Sequence, residues 1–281
     1  MRGNKKPTSI MRRPKGDLVM SRAIIKNGSG RALRRVLAAL PLCAMSTFAL
    51  AQEVEPKADE VLHAMSDYLA GLITFTVTAD AATDVLLRNG AKMQLTATGT
   101  LVLDREKGFR VVREGPLGES TIVFDGSAVS ISNSALGVHF SIPVEGNIDQ
   151  AIDEVRSVLG TEVTGGADLL YANPYEGLMF EVETGQYLGE VTVGGVSAHH
   201  LFYRAKDIDW QLWVRSEGDP IPVKYVITSK WMTAAPAFSV QLWNFEPGVT
   251  TDANTFNFTP PEGSKELDPA TIDGENIIGE G

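Results

Sequence analysis

The sequence predicts an α+β protein dominated by antiparallel β-structure, with one sheet long enough to curl strongly or close and a few helices to cover one mouth or its concave face. Two observations lead there. Apolar and polar residues alternate at a period of two in about six short runs on either side of a helical stretch, the pattern of strands with one covered face. Hairpin dipeptides, Asn89-Gly90, Asp125-Gly126 and Gly194-Gly195, separate several of these runs, and no alternating strand–helix rhythm suggests a parallel sheet.

The chain opens on a leader. Residues 1–51 carry eleven Lys and Arg and one acid, Asp17. Arg31-Ala32-Leu33-Arg34-Arg35 forms a basic stretch, Val36 to Leu50 an apolar run, and Ala49-Leu50-Ala51 a small-x-small cleavage pattern before Gln52. That order is a secretory signal peptide cut between Ala51 and Gln52. The run is shorter than the ~20 residues a membrane span needs, so no stable membrane insertion is expected after cleavage. Met20 is an alternative start to Met1. Cys43, the one cysteine, follows Leu42 where a lipidation motif needs a small residue, which argues against a lipid anchor.

The expected mature chain runs from Gln52, as one domain over residues 52–267 and a disordered tail over 268–281. It contains no cysteine, and a chain of this length needs no disulfide to hold a core. It has 14 basic against 34 acidic residues, a net charge of −20. Such a surface is repelled by phosphate backbones, so nucleic acid is not expected as a partner.

Pro56 to Leu72 reads as a helix, with Val61, Leu62, Met65, Leu69 and Leu72 on one stripe and Pro56 in the first turn. Strand patterns follow at Ile73–Ala79, Met93–Asp104, Phe109–Val111, Ile122–Phe124, Val129–Ile131 and Val138–Ile142. A helical insertion over 147–182 begins with a capping box, Asn147 and Gln150, ahead of an apolar face of Ile148, Ala151, Ile152, Val155 and Leu159. Ala167–Ala172 and a segment opened by Asn173-Pro174 are two further short helices, the latter carrying Leu178, Met179 and Val182 inward. Strands resume at Tyr187–Val193, Val196–Arg204, Asp209–Arg215, Val223–Lys230 and Phe238–Phe245, with Phe256–Phe258 as a short last strand.

No G-x-S-x-G, Walker or H-E-x-x-H motif occurs in the chain, and no catalytic set, metal site or cofactor is expected. His199 and His200 are neighbours in a strand and so point to opposite faces. Asp207 and Asp209 could share a face, but acids at a strand start are ordinary turn residues. The aromatic residues are more informative. Phe75, Phe109, Phe124, Phe140, Phe202, Trp210 and Tyr225 fall on the presumed apolar face, together with Val77, Leu101 and Leu212; His200 is expected beside them. These residues are the candidate lining of a ligand cavity inside the curved sheet.

Several segments carry a family resemblance. They are Ala58-Asp59-Glu60-Val61-Leu62 with Met65–Leu69, Phe124-Asp125-Gly126, Ala167–Tyr171 with Pro174-Tyr175, Val196 through Leu201, Asp209–Trp213 and Phe256–Gly263. Together they resemble the predicted periplasmic family called domain of unknown function 2092, over about Ala58 to Leu267. That family is similar to the LolA and LolB lipoprotein carriers and to periplasmic sensors of the RseB type. The resemblance implies an unclosed, strongly curved β-barrel, helices over its apolar concave face and a periplasmic location. It also implies a non-catalytic role. The partner is a hydrophobic small molecule, lipid or lipoprotein, or, for a sensor, a membrane-anchored envelope protein. LolA-type carriers hold their helical lid with an arginine, for which Arg204 is the candidate.

Overall fold

The computed structural model describes residues 54–159 and 165–271. The expected leader, with Ala49, Ala51 and Gln52, and the last ten residues of the expected tail lie outside the described residues.

Helix α1 (Pro56–Gly71) has Pro56 at its first position, where a missing N–H costs nothing, and buries Ala58, Val61, Leu62, Met65 and Leu69. The hairpin β1 (Thr74–Leu86) and β2 (Lys92–Asp104) turns at Asn89-Gly90, with Gly90 at φ 84°. A meander continues through β3 (Gly108–Gly115), β4 (Gly118–Phe124), β5 (Ala128–Asn133) and β6 (Val138–Pro143). Gly108 is required in this meander. Its φ is 150°, and a Cβ there would sit 1.9 Å from the Phe124 carbonyl oxygen.

Helix α2 (Ile148–Leu159) begins with the expected box. The Asn147 N–H donates to Gln150 Oε1 at 2.9 Å, and Asn147 Oδ1 accepts from the Asp149 and Gln150 N–H groups. A 3-10 turn (Ala167–Leu170) and α3 (Pro174–Met179) follow, the latter capped by Asn173. The strands resume as β7 (Val182–Val193), β8 (Val196–Ala205), β9 (Ile208–Arg215), β10 (Pro222–Ser229), β11 (Ala237–Pro247) and β12 (Lys265–Glu266).

All twelve strands form one sheet in the order β12-β6-β5-β4-β3-β2-β1-β11-β10-β9-β8-β7. Every pairing is antiparallel except β12 with β6. The sheet curls but does not close. β-Bulges at Thr76/Thr78 and in β7 and β10 supply local bend and twist. A chain segment pairs with part of each edge strand, β7 and β6. On β7, the Glu55 N–H donates to the Gly185 carbonyl at 2.9 Å. On β6, the Lys265 and Leu267 N–H groups donate to Gly137 and His139 at 2.8 and 2.9 Å.

The core has two parts on the concave face. One packs α2 onto β1–β6 through Phe75, Leu103, Phe109, Phe124, Phe140, Ile148, Ile152 and Val155. The other packs α1 and α3 onto the β7–β10 half through Leu62, Met65, Leu178, Leu201, Tyr203, Trp210, Leu212 and Tyr225.

Three expectations need correction. The insertion stops at Met179: the Phe180 N–H closes on Gly177, Glu181 takes φ 54°, and Val182 already belongs to β7. Phe256–Phe258 is no strand. Asp252 and Asn254 bond to following residues instead, winding a turn that anchors the buried Phe256. Of residues 268–281, expected to be a disordered tail, the described part includes a 3-10 turn, Pro269–Thr271.

Candidate functional site

A cavity of about 1980 Å³ occupies the concave face, roofed by α2, the 3-10 turn and α3. It exceeds the ~300–1,000 Å³ common for small-molecule pockets. The antiparallel register arranges its floor under the first six strands in rows. The innermost row is Phe75, Leu103, Phe109, Phe124 and Val129, of which Phe75 and Phe109 line the cavity and the other three are packed in the core beside them. Two residues along each strand comes a row of Val77, Leu101, Val111, Ile122, Ile131 and Phe140. The next row is Ala79, Gly99, Arg113, Ser120 and Asn133. The floor thus passes from aromatic through aliphatic to small and polar. Across β11, Phe238, Val240, Leu242 and Phe245 continue the apolar lining. At the rim Leu117, Leu136, Phe180, Trp231 and Met232 are exposed, Phe180 and Trp231 by 74% and 75%.

Phe75, Val77, Leu101, Phe109, Phe140, Trp210 and Tyr225 line this cavity. Phe124 and Leu212 are packed in the core. His200 and Phe202 were expected on the concave face, but strand parity puts them outside. Their neighbours Leu201 and Tyr203 are the inward pair, buried against Leu212 and Trp210. On the outer face His200 stacks on Trp213 at 4.2 Å and shares a hydrogen bond with Gln211 at 3.0 Å. Burial, with Lys224 nearby, holds its pKa below the usual histidine value. His199 points to the other face, 3.0 Å from the Tyr187 hydroxyl. Asp209 meets Arg204 and Lys230, each at 3.4 Å. Among the described residues no cluster of three or more His, Cys, Asp or Glu could hold a metal ion.

The helical roof is tied down by two arginines. Arg105, in the β2–β3 turn, donates from Nε to Leu72 O at 2.9 Å, from Nη2 to Leu69 O at 3.0 Å and from Nη1 to Leu170 O at 3.1 Å. It therefore joins the C-terminal end of α1, where the helix dipole favours a cation, to the 3-10 turn. Burial lowers its pKa. Arg204, the sequence candidate for this duty, is an exposed outer residue. On α2, Arg156 reaches Asp168 at 2.7 Å and the Tyr171 hydroxyl at 2.9 Å, while that hydroxyl donates to Asp153 at 2.6 Å. Tyr175 of α3 donates to Asp59 of α1 at 2.6 Å and stacks on His63 at 3.6 Å; burial and the Asp59 carboxylate push its pKa up to about 12.

The strand order and the roofed concave face define an unclosed, curled antiparallel barrel. The model of the family described as predicted periplasmic protein (DUF2092) matches residues 58–268, and the chain belongs to that periplasmic family. No curated protein matches the sequence. Solved structures similar at low identity include the following three. An uncharacterized conserved protein from Thermus thermophilus shares 14% identity, with TM-score 0.44 over 75% of this chain and 98% of that one. The Mycobacterium tuberculosis lipoprotein LppX shares 14%, with TM-score 0.43 over 70% and 100%. A LolA superfamily protein from Nitrosomonas europaea shares 11%, with TM-score 0.34 over 72% and 97%.

Proposed function

We propose that this chain is exported by its cleaved leader and serves in the periplasm as a non-catalytic binding protein for a hydrophobic ligand: a lipid, an acyl chain or the lipid part of a lipoprotein. The observation that carries this reading is the cavity itself. Its inner rows are hydrocarbon, and a well-packed core would have filled that space with side chains. Each CH₂ group covered there gains about 0.8 kcal/mol, so a long chain binds without any particular polar contact. Titration with the uncharged fluorophore N-phenyl-1-naphthylamine tests it. Saturable enhancement that long-chain lipids displace is expected; no enhancement above that given by a cavity-free control protein would contradict it.

A second reading has one observation in its favour. The exposed Phe180, Trp231 and Met232 at the rim suit a contact with another envelope protein, as in a sensor acting on a membrane-anchored regulator. Crosslinking in intact envelopes from photoreactive residues at positions 180 and 231 tests this. A discrete, stoichiometric protein adduct supports the sensor reading, and its absence leaves the carrier reading alone.

A further inference from the structure

The polar row of the cavity floor contains a cation that no carboxylate among the described residues pairs with. Arg113 lies between Gly99 on β2 and Ser120 on β4 and lines the cavity, whereas its neighbour Glu114 lines a separate groove with Asp80, Thr98 and Lys224. The other cavity cation among the described residues, Arg156, is paired with Asp168. Among the described residues, no carboxylate or carbonyl accepts from Arg113. Of the cavity's carboxylates, Asp84 is engaged by Lys92, Asp149 by the Ala172 N–H, Asp153 by Tyr171 and Asp168 by Arg156; Glu176, Glu181 and Asp207 also line it, and none of the seven bonds to Arg113. A cation facing an apolar cavity without a partner is costly, and burial alone lowers the pKa of Arg113. Gly99 beside it carries no side chain, which leaves room above the floor; even a methyl group there would press on the Val112 carbonyl at 3.3 Å.

We propose that Arg113 receives the anionic head, a carboxylate or a phosphate monoester, of a single-chain amphiphile whose hydrocarbon tail lies along the Val111 and Phe109 rows. The inference rests on the apolar-ligand reading above and adds the polarity and orientation of the ligand. Arg113 lies four positions beyond Phe109 on β3, about 13 Å of strand, so head and tail meet their own chemistries on one floor. The guanidinium fork matches either oxyanion in a bidentate pair, and the Ser120 hydroxyl on the neighbouring strand can add a hydrogen bond. Asn133, which donates to Ser120 Oγ at 2.9 Å, fixes that hydroxyl in place.

The test is calorimetric titration of the exported protein, stripped of lipid, with dodecanoate, dodecyl phosphate, dodecanol and inorganic phosphate. Binding of one or both anions about ten- to a hundredfold more tightly than dodecanol is expected, the span of a charged hydrogen bond. The stronger of the two identifies the head group. Inorganic phosphate, lacking a tail, should not bind measurably. Arg113→Gln should erase the preference for the anion while leaving dodecanol affinity unchanged, and Arg113→Lys should restore part of it. Equal wild-type affinity for dodecanoate, dodecyl phosphate and dodecanol would overturn the role of Arg113 and leave the apolar carrier intact. So would a preference that survives in Arg113→Gln. No binding of any of the chains would overturn both.

Discussion

Arg105 Nη2 donates to the Leu69 carbonyl at 3.0 Å, so a turn of the sheet grips the last turn of the first helix. The same guanidinium holds Leu72 and Leu170. Arg105→Met keeps the stem but strands three carbonyls, and should cost about 2–3 kcal/mol of unfolding free energy, read from urea midpoints. Hydrogen exchange at the end of α1 should rise with it. Arg204→Ala removes only an exposed pair with Asp209, and its midpoint should move by under about 0.5 kcal/mol.

Ligand capacity should follow the inner face and ignore the outer one. Ala79 lines the cavity, so Ala79→Trp places a large ring where ligand would lie. That variant should fold yet weaken fluorophore binding at least about tenfold. Phe202→Ala, on the outer face beside Gln211, should leave the affinity at the wild-type value. The reverse ranking would mean that binding occurs outside the barrel.

Acid should loosen the attachment of the C-terminal segment. Burial of Asp104 disfavours its charge, but hydrogen bonds from Thr251, Lys107 and the Glu106 N–H outweigh burial and hold its pKa below the usual carboxylate value. Asp84 and Asp125 are depressed likewise, against the effect of burial, by their own hydrogen bonds. A folded pKa below the unfolded one gives stability that is complete above the unfolded value, about 3.9, and is lost as pH falls through the folded value. Unfolding free energy should therefore drop below about pH 4. Asp104→Asn should cost about 2 kcal/mol at pH 7 and flatten that acid slope.

Much of this architecture was readable from local pattern. The box of Asn147 and Gln150 marks α2 to the residue, and the turn at Asn89-Gly90 marks the first hairpin, because both depend on neighbours a few positions apart. The face of β8 was harder. His199-His200-Leu201-Phe202-Tyr203 offers an aromatic ring at either parity, and only pairing with Leu212 and Trp210 decides that Leu201 and Tyr203 go inward. Arg105 carried no signal, since its acceptors are backbone carbonyls 33 to 65 residues away. Arg113 was likewise hidden in a run of Val111-Val112-Arg113-Glu114, where nothing local distinguishes an inward cation from a solvated one.

Export makes a separate prediction. Cleavage after Ala51 should yield a mature chain beginning at Gln52, with pyroglutamate formation lowering its mass further. Intact mass of the periplasmic form checks it. Ala51→Phe blocks the small-residue pocket of the peptidase and should leave the precursor in the membrane fraction. A mature form starting at a lipid-modified Cys43 would instead indicate an anchored protein.

The most direct measurement is native mass spectrometry of the protein released from periplasm by osmotic shock, without detergent. The account predicts a folded population carrying a lipid-sized adduct, lost on solvent extraction and diminished in Ala79→Trp. Protein that arrives bare in repeated preparations, and takes up no acyl chain when one is supplied, would contradict it.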